Sequence, residues 1–385
     1  MSGTDVALVG LGMTEMSLTP GQAPHELARE AVGLALADAG VARGDVDGVL
    51  VGTSQGVRPD RLSVAFAAQD GFSDLRLLEH VEIKGATTIA MIQRAALAIQ
   101  TGAARTIVCV FADAPLVAGM GAGSSYAHSG GASGVRGLER ASGVLGSVPT
   151  YALLAQRWMH VTGAGVDDLC AMTTSTRAWA LGNPAAVVRT PLDAEGYHAS
   201  PMIAEPLRRL DCARPVNGAV AVVVTGDSGT GHPARIGVRG AGREHPVRRR
   251  RAGAESWFGG GRRAVDDALA NAGMVRADLD LAELYDPFSV VTLMLLEEYG
   301  LTDGRPAGEF VRAGETGPDG KLPTNTGGGQ LSGFYLQGMT PLAEAIVQLR
   351  GDGGARQVSG AATALVGGIG GRLDHHAALV LERAA

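Results

Sequence analysis

Cysteine, lysine and aromatic residues are all scarce in this chain, and each scarcity removes a class of explanation. Three cysteines, Cys109, Cys170 and Cys212, are scattered over 385 residues. An odd, dispersed set makes no disulfide framework and fits the reduced thiols of a cytoplasmic protein. Lys84 and Lys321 stand against 31 arginines, so chemistry that needs a lysine amine has two candidates. No apolar run reaches the ~18 residues of a membrane-spanning helix. The start, MSGTDVALVGLG, lacks a basic segment ahead of its apolar stretch and does not read as a signal peptide. The net charge is −6 and no basic block exceeds Arg248–Arg251, so a nucleic-acid groove is not expected.

What is present points to a tightly packed α/β protein. Glycine contributes 57 residues and apolar types 45%, enough for two or three domains with close helix–strand contacts. The chain also repeats itself. AVGLALADAGVARGDVD (Ala31–Asp47) and AVDDALANAGMVRADLD (Ala264–Asp280) agree at ten of seventeen positions with an offset of 233. Each predicts an amphipathic helix stopped by a glycine, Gly40 or Gly273, followed by a short turn and an apolar strand. A looser match relates Gly85–Asp113 to Tyr335–Gly371, both loop, long helix, glycine stop, strand. Two pseudo-symmetric halves follow, residues 1–227 and 233–385. Residues 115–210 have no counterpart and read as an inserted loop or lid region. It opens on the glycine- and serine-rich GMGAGSSYAHSGGASG.

In such duplicated sheets, ligands bind where strand ends and helix starts meet. That brings together Lys84–Thr88, Leu284–Ser289, Asn325–Gln337 and the glycines of Leu365–Gly371. Tyr335, one of six tyrosines, is presented there at the end of a glycine-rich loop just before a helix.

These segments carry a resemblance. LYDPFS stands where sterol-carrier-type thiolases have HDCF or HDAF. NTGGGQLSGFYLQG stands where they have N-x-x-G-G and then G-H-P. EIKGATTIA matches their nucleophile loop N-A-C-A-S-G, and VNGAVAVVV resembles their D-G-A-A-A strand. The chain resembles the thiolase superfamily over its length, in the lipid-transfer-protein-like branch. The resemblance implies a thiolase fold: five αβαβα layers in two α/β halves with an inserted loop domain. The departures are chemical. The nucleophilic cysteine is matched by Gly85, and the two histidines by Tyr285 and Tyr335, so an acyl-cysteine step is excluded. The pattern is similar to that of steroid side-chain-cleaving aldolases that lack the cysteine. It implies retro-aldol cleavage of a β-hydroxyacyl-CoA to a ketone and propionyl-CoA by a tyrosine pair. It also implies no cofactor beyond the CoA of the substrate. Its further implications are a small OB-fold partner protein and a homodimer that becomes a heterotetramer with that partner.

Such a reaction needs a base for the β-hydroxyl, stabilisation of the thioester enolate and an acid for the α-carbon. A helix N-terminus at Tyr335 would lower a phenol pKa that is ordinarily near 10. Tyr285 would share or relay the proton, and which tyrosine is base stays open. By resemblance, the backbone amides of Gly85 and Gly367 form the oxyanion hole, with Asp286 and Asn325 in support. Plainer roles stand beside these. Either tyrosine could pack under its loop, and Asp286 could cap the following helix, its commoner use. Lys84 invites a Schiff-base mechanism, although it follows the strand-like LEHVEI. Asp374–His376 invites a metal, but neighbouring strand residues face opposite sides. His80, His128 and His160 read as structural, and the N-terminal glycines lack the acidic residue of a dinucleotide fingerprint. An acyltransferase without a covalent intermediate and a non-catalytic acyl-CoA or lipid carrier are the competing functions.

Overall fold

The computed structural model describes residues 6–52, 67–68, 70–121, 134–226, 235–246, 260–371 and 373–384. His128, Arg248–Arg251 and most of the stretch from Gly119 to Gly134 lie outside them. The first half supplies β1 (Ala7–Met13), β2 (Gly48–Gly52), β3 (Leu77–Val81) and β4 (Thr106–Asp113). A hairpin of β5 (Met202–Ala204) and β6 (Leu207–Arg208) precedes β7 (Gly218–Thr225). The second half supplies β8 (Ile236–Glu244), β9 (Leu281–Leu284), β10 (Thr363–Gly370) and β11 (His375–Arg383).

Among the described residues, nine strands form one sheet in the order β3-β2-β4-β7-β1-β8-β11-β10-β9. Apart from the outermost β3, the order mirrors itself about the β1–β8 junction. β2–β4 and β9–β10 are parallel, β4–β7 and β10–β11 antiparallel, and β7–β1 and β11–β8 antiparallel. Among the described residues the junction pairs Ala7 with Gly237 and Leu8 with Ile236. Even β3 has a remnant counterpart: Thr324 makes a parallel bridge to Ala282 of β9, where β3 pairs with β2 in the first half.

The repeat is visible at atomic contacts. Gly40 and Gly273 end their helices, Pro24–Ala39 and Arg262–Ala272, in the left-handed region at φ 62° and 67°. On β1, a Cβ at Gly10 or Gly12 would lie 2.3 Å or 2.1 Å from the carbonyls of Ala35 or Ala31. On β8, a Cβ at Gly240 or Gly242 would lie 1.9 Å from those of Ala268 or Ala264. Glycines thus let each outer helix approach its sheet. The helices Thr87–Gln100 and Met339–Arg350 pack on strands of both halves and on each other. Met339 to Leu349 are all buried, as a central helix requires. The layers therefore run helix, half-sheet, central helices, half-sheet, helix. Between β4 and β7, the described part of residues 115–210 is mainly helical, anchored by buried Trp158 and Trp179. No described helix is long and apolar enough to cross a membrane.

Candidate active site

Tyr285 leaves the end of β9 with its amide donating to the Gly367 carbonyl at 2.9 Å. The strand end is set by Asn325, whose backbone sits at φ 53°. Its Oδ1 accepts from the Leu284 amide at 2.7 Å, and its own amide donates to the Ala282 carbonyl at 3.0 Å. Asn325 therefore positions the residue next to Tyr285. Asp286 is fully buried and does not cap the helix that follows it, Ser289–Glu298. It holds a turn 44 residues away: its Oδ1 accepts from the Gln330 amide at 2.8 Å, and its Oδ2 lies where a Gly329 Cβ would be. That π-helical turn, Gly329–Gly333, carries the chain to Tyr335.

The Tyr285 and Tyr335 hydroxyls lie 3.1 Å apart, their rings 6.5 Å between centroids and inclined at 52°. Two sequence expectations about Tyr335 need correction. The α-helix begins at Met339, after a turn with Gln337 at φ 48°, and Tyr335 is in extended chain bridged to Pro215. Burial pushes its phenol up to about 12, against the pull of the Tyr285 hydroxyl, with Asp113 and Glu82 adding to the rise. The shift is upward, not downward. Tyr335 is therefore a neutral phenol at neutral pH.

Gly85 forms the third side. A Cβ there would fall 2.4 Å from Cζ and 2.5 Å from Cε1 of Tyr285, and 2.3 Å from the Ile369 carbonyl. The Gly85 carbonyl in turn packs on Gly338 and Gly368. Gly367 lies elsewhere than the resemblance implies. It sits inside β10, opposite Leu284 of β9 and Ala378 of β11, so its amide belongs to the ladder. Gly368 is the glycine that faces Gly85.

The remaining candidates fall away from the phenols. Lys84 Nζ pairs with Glu82 at 2.8 Å and is 44% exposed, so it points to solvent. His375 contacts His245, Nδ1 to Nδ1 at 2.8 Å, while His376 is buried beside Tyr299. Among the described residues no three His, Cys, Asp or Glu side chains gather as a metal would need. His80 lies on β3, its imidazole pulled down by burial, and His160 is exposed on the helix Val148–Thr162. Cys109 is mid-strand in β4, its thiol driven up by burial, and Cys170 and Cys212 pack beside Asp211.

A thiolase C-terminal domain-like family model matches residues 245–383. Over 90% of this chain and 91% of its own length, the 17-hydroxy-3-oxo-4-pregnene-20-carboxyl-CoA lyase of Mycobacterium tuberculosis is 33% identical. The chain belongs to the thiolase superfamily, in the branch of the steroid side-chain-cleaving aldolases. The steroid side-chain-cleaving aldolase of Thermomonospora curvata is 31% identical over 90% of both chains. The solved Ltp2–ChsH2(DUF35) aldolase superposes with a TM-score of 0.83 at 27% identity, covering 99% of this chain and 98% of that one. The five-layer architecture is thus the thiolase fold.

One buried polar residue near these elements gave no sequence signal. Asp211 is buried and accepts from Ser289 (2.6 Å), Tyr197 (2.9 Å) and the Arg208 amide (2.7 Å), tying the inserted region to the helix after Tyr285. Its donors lie up to 78 residues away along the chain, so only the fold collects them.

The buried Asp286 makes stability depend on pH. Burial pushes its carboxyl up to about 8, against the Gln330 and Leu331 amides and the Asn325 side chain. An unfolded aspartate titrates near 4. The folded state holds the proton more tightly between those values, so this contribution is full below about pH 4 and lost as pH rises through about 8. Asp286→Asn keeps the acceptor and removes that part of the slope. Urea unfolding at about pH 5 and about pH 9 should show a smaller stability gap in the variant. An equal gap would contradict the assignment.

Proposed function

We propose that this protein cleaves a β-hydroxyacyl-CoA by a retro-aldol reaction, with the Tyr285–Tyr335 pair moving the proton. The chain is a lyase, as its relatives are named. The substrate class is a thioester whose β-carbon carries a tertiary hydroxyl, as at C17 of a steroid, and the products are a ketone and propionyl-CoA. The observation that carries this is the pair of hydroxyls 3.1 Å apart over the side-chain-free Gly85.

A neutral pair suits the reaction better than a tyrosinate. The β-hydroxyl passes its proton to one phenol oxygen, and that phenol's proton crosses to the other oxygen. As the bond between the α- and β-carbons breaks, its electron pair enters the thioester enolate. The second phenol then protonates the α-carbon. Each phenol ends neutral, so the raised pKa of Tyr335 is no obstacle, and no cofactor beyond the substrate's CoA takes part. The Gly85 amide, at the approach to the helix Thr87–Gln100, is the donor suited to the enolate oxygen.

The wider proposal keeps two halves, 1–227 and 233–385, with residues 115–210 as a lid over the acyl chain. It places the protein in the cytoplasm as a homodimer that forms a heterotetramer with a small OB-fold partner. Support for a partner is that the solved relative is named as the complex Ltp2–ChsH2(DUF35). The test is to incubate the protein, alone and with such a partner, with 17-hydroxy-3-oxo-4-pregnene-20-carboxyl-CoA in deuterated water. The expected products are the 17-ketone and propionyl-CoA with one deuterium at its α-carbon. Tight binding of the thioester with no ketone released would make the protein a carrier instead.

A further inference from the structure

We propose that Gly85 is the specificity-determining position of this scaffold: the phenol of Tyr285 occupies the volume a side chain at 85 would need, so the phenol pair and a nucleophile at 85 exclude each other. This deepens the reading of the tyrosine pair and rests on it.

The argument is steric and comes from both sides of the residue. Ahead of Gly85, an added Cβ would meet the Tyr285 ring at 2.4 and 2.5 Å and the Ile369 carbonyl at 2.3 Å. Real Cβ contacts are not that short, so something must shift. Behind it the backbone has no room to retreat. The Gly85 carbonyl lies 2.9 Å from the positions that Cβ atoms on Gly338 and Gly368 would take, and the Ile83 carbonyl 1.9 Å from that of Gly370. Three glycines have already brought β10 and the chain before the central helix Met339–Arg350 against this loop. The φ angle of Gly85 is not in the left-handed region, so backbone freedom does not explain the glycine. Space does.

The yielding element is therefore the Tyr285 ring. It is 6% exposed and its hydroxyl is held by Tyr335 at 3.1 Å. A side chain at 85 swings the ring out and separates the two hydroxyls. Gly85 is thus a positioning residue through its missing Cβ, in addition to any role of its amide. A scaffold that acquires a side chain here loses the proton relay at the same step.

The experiment is a cycle of Gly85→Ala, Tyr285→Ala and the double variant, with Tyr285→Phe as a control. Thermal unfolding reads the packing without reference to catalysis. Gly85→Ala should lower the midpoint clearly, and by at least about 2 °C less in the Tyr285→Ala background, because touching residues couple. The Ile369 carbonyl stays in both backgrounds, so relief is partial. If Gly85→Ala alone fails to fold, recovery of folded protein on adding Tyr285→Ala supports the proposal, and failure in both backgrounds overturns it. An equal midpoint loss in the two backgrounds also overturns it. Cleavage gives a second readout: Gly85→Ala should lose at least about 100-fold, and adding Tyr285→Ala should cost almost nothing further. Multiplying losses would mean that the methyl acts other than through Tyr285. Tyr285→Phe separates the two claims. Full activity there refutes the tyrosine pair and leaves the steric result standing, whereas an inactive Tyr285→Phe with an additive melting cycle refutes only the role of Gly85.

Discussion

Tyr335→Phe is expected to lower ketone release by roughly 10²–10⁴-fold, the usual contribution of a positioned acid–base group. The substitution removes one oxygen and keeps the ring that packs in the cluster around Tyr285 and Phe288. The chain on either side is held by contacts that do not involve the hydroxyl. Thr340 Oγ1 donates to the Phe334 carbonyl at 2.8 Å and accepts from the Leu336 amide at 3.2 Å. Melting temperature and thioester binding should therefore change little, and the loss should appear in kcat, as for an interaction made in the transition state. The wild-type pH profile supplies a further check. Because burial holds Tyr335 at about 12, its ionisation should leave no limb between about pH 6 and pH 9. A rate that rises through pH 8 and loses that rise in Tyr335→Phe would mean the phenol works as an anion. A fully active variant would remove Tyr335 from the mechanism.

The parts of this molecule written locally in the chain were the legible ones. The helix stops at Gly40 and Gly273 are local left-handed caps, and the strands that follow them are short apolar runs, so the duplication and the two half-sheets could be read directly. The positions of Tyr285 and Tyr335 were legible because both sit at strand or loop ends beside recognisable motifs. Their environment was not. The start of the helix Met339–Arg350 depends on the turn at Gln337, and the direction of the Tyr335 shift depends on what buries it. The Gly85–Tyr285 exclusion joins residues 200 positions apart and exists only in three dimensions. The burial of polar residues on the central helix is equally non-local. Glu344 and Gln348 in TPLAEAIVQLR are both buried, because Arg356 and Val358 fold back to satisfy them.

That buried ion pair carries the largest expected effect on stability. Glu344 receives Arg356 through both oxygens, Nε at 2.8 Å and Nη2 at 3.0 Å, and each side chain is 8% exposed. Arg356→Met leaves Glu344 buried with Gln348 and Thr326 as its remaining donors, at 2.9 and 3.1 Å. The Thr326 hydroxyl has a single proton and lies nearer Glu283, at 2.7 Å. Glu283 is already held well above the carboxylate range by burial and by the charge of Glu344, so it offers no compensation. Removing one partner of a buried pair costs about 3–5 kcal/mol, and urea unfolding should show a loss of that order. The double variant Arg356→Met/Glu344→Met should recover most of it, since apolar replacement of a whole buried pair is often neutral. Thr326 follows Asn325, whose side chain sets the end of β9, so Arg356→Met should also lower cleavage when assayed well below its melting temperature. A double variant as stable as wild type but equally impaired in cleavage would place the pair's role in holding the Asn325–Tyr335 loop. A single variant with no stability loss would remove the ion pair from the stability of the fold.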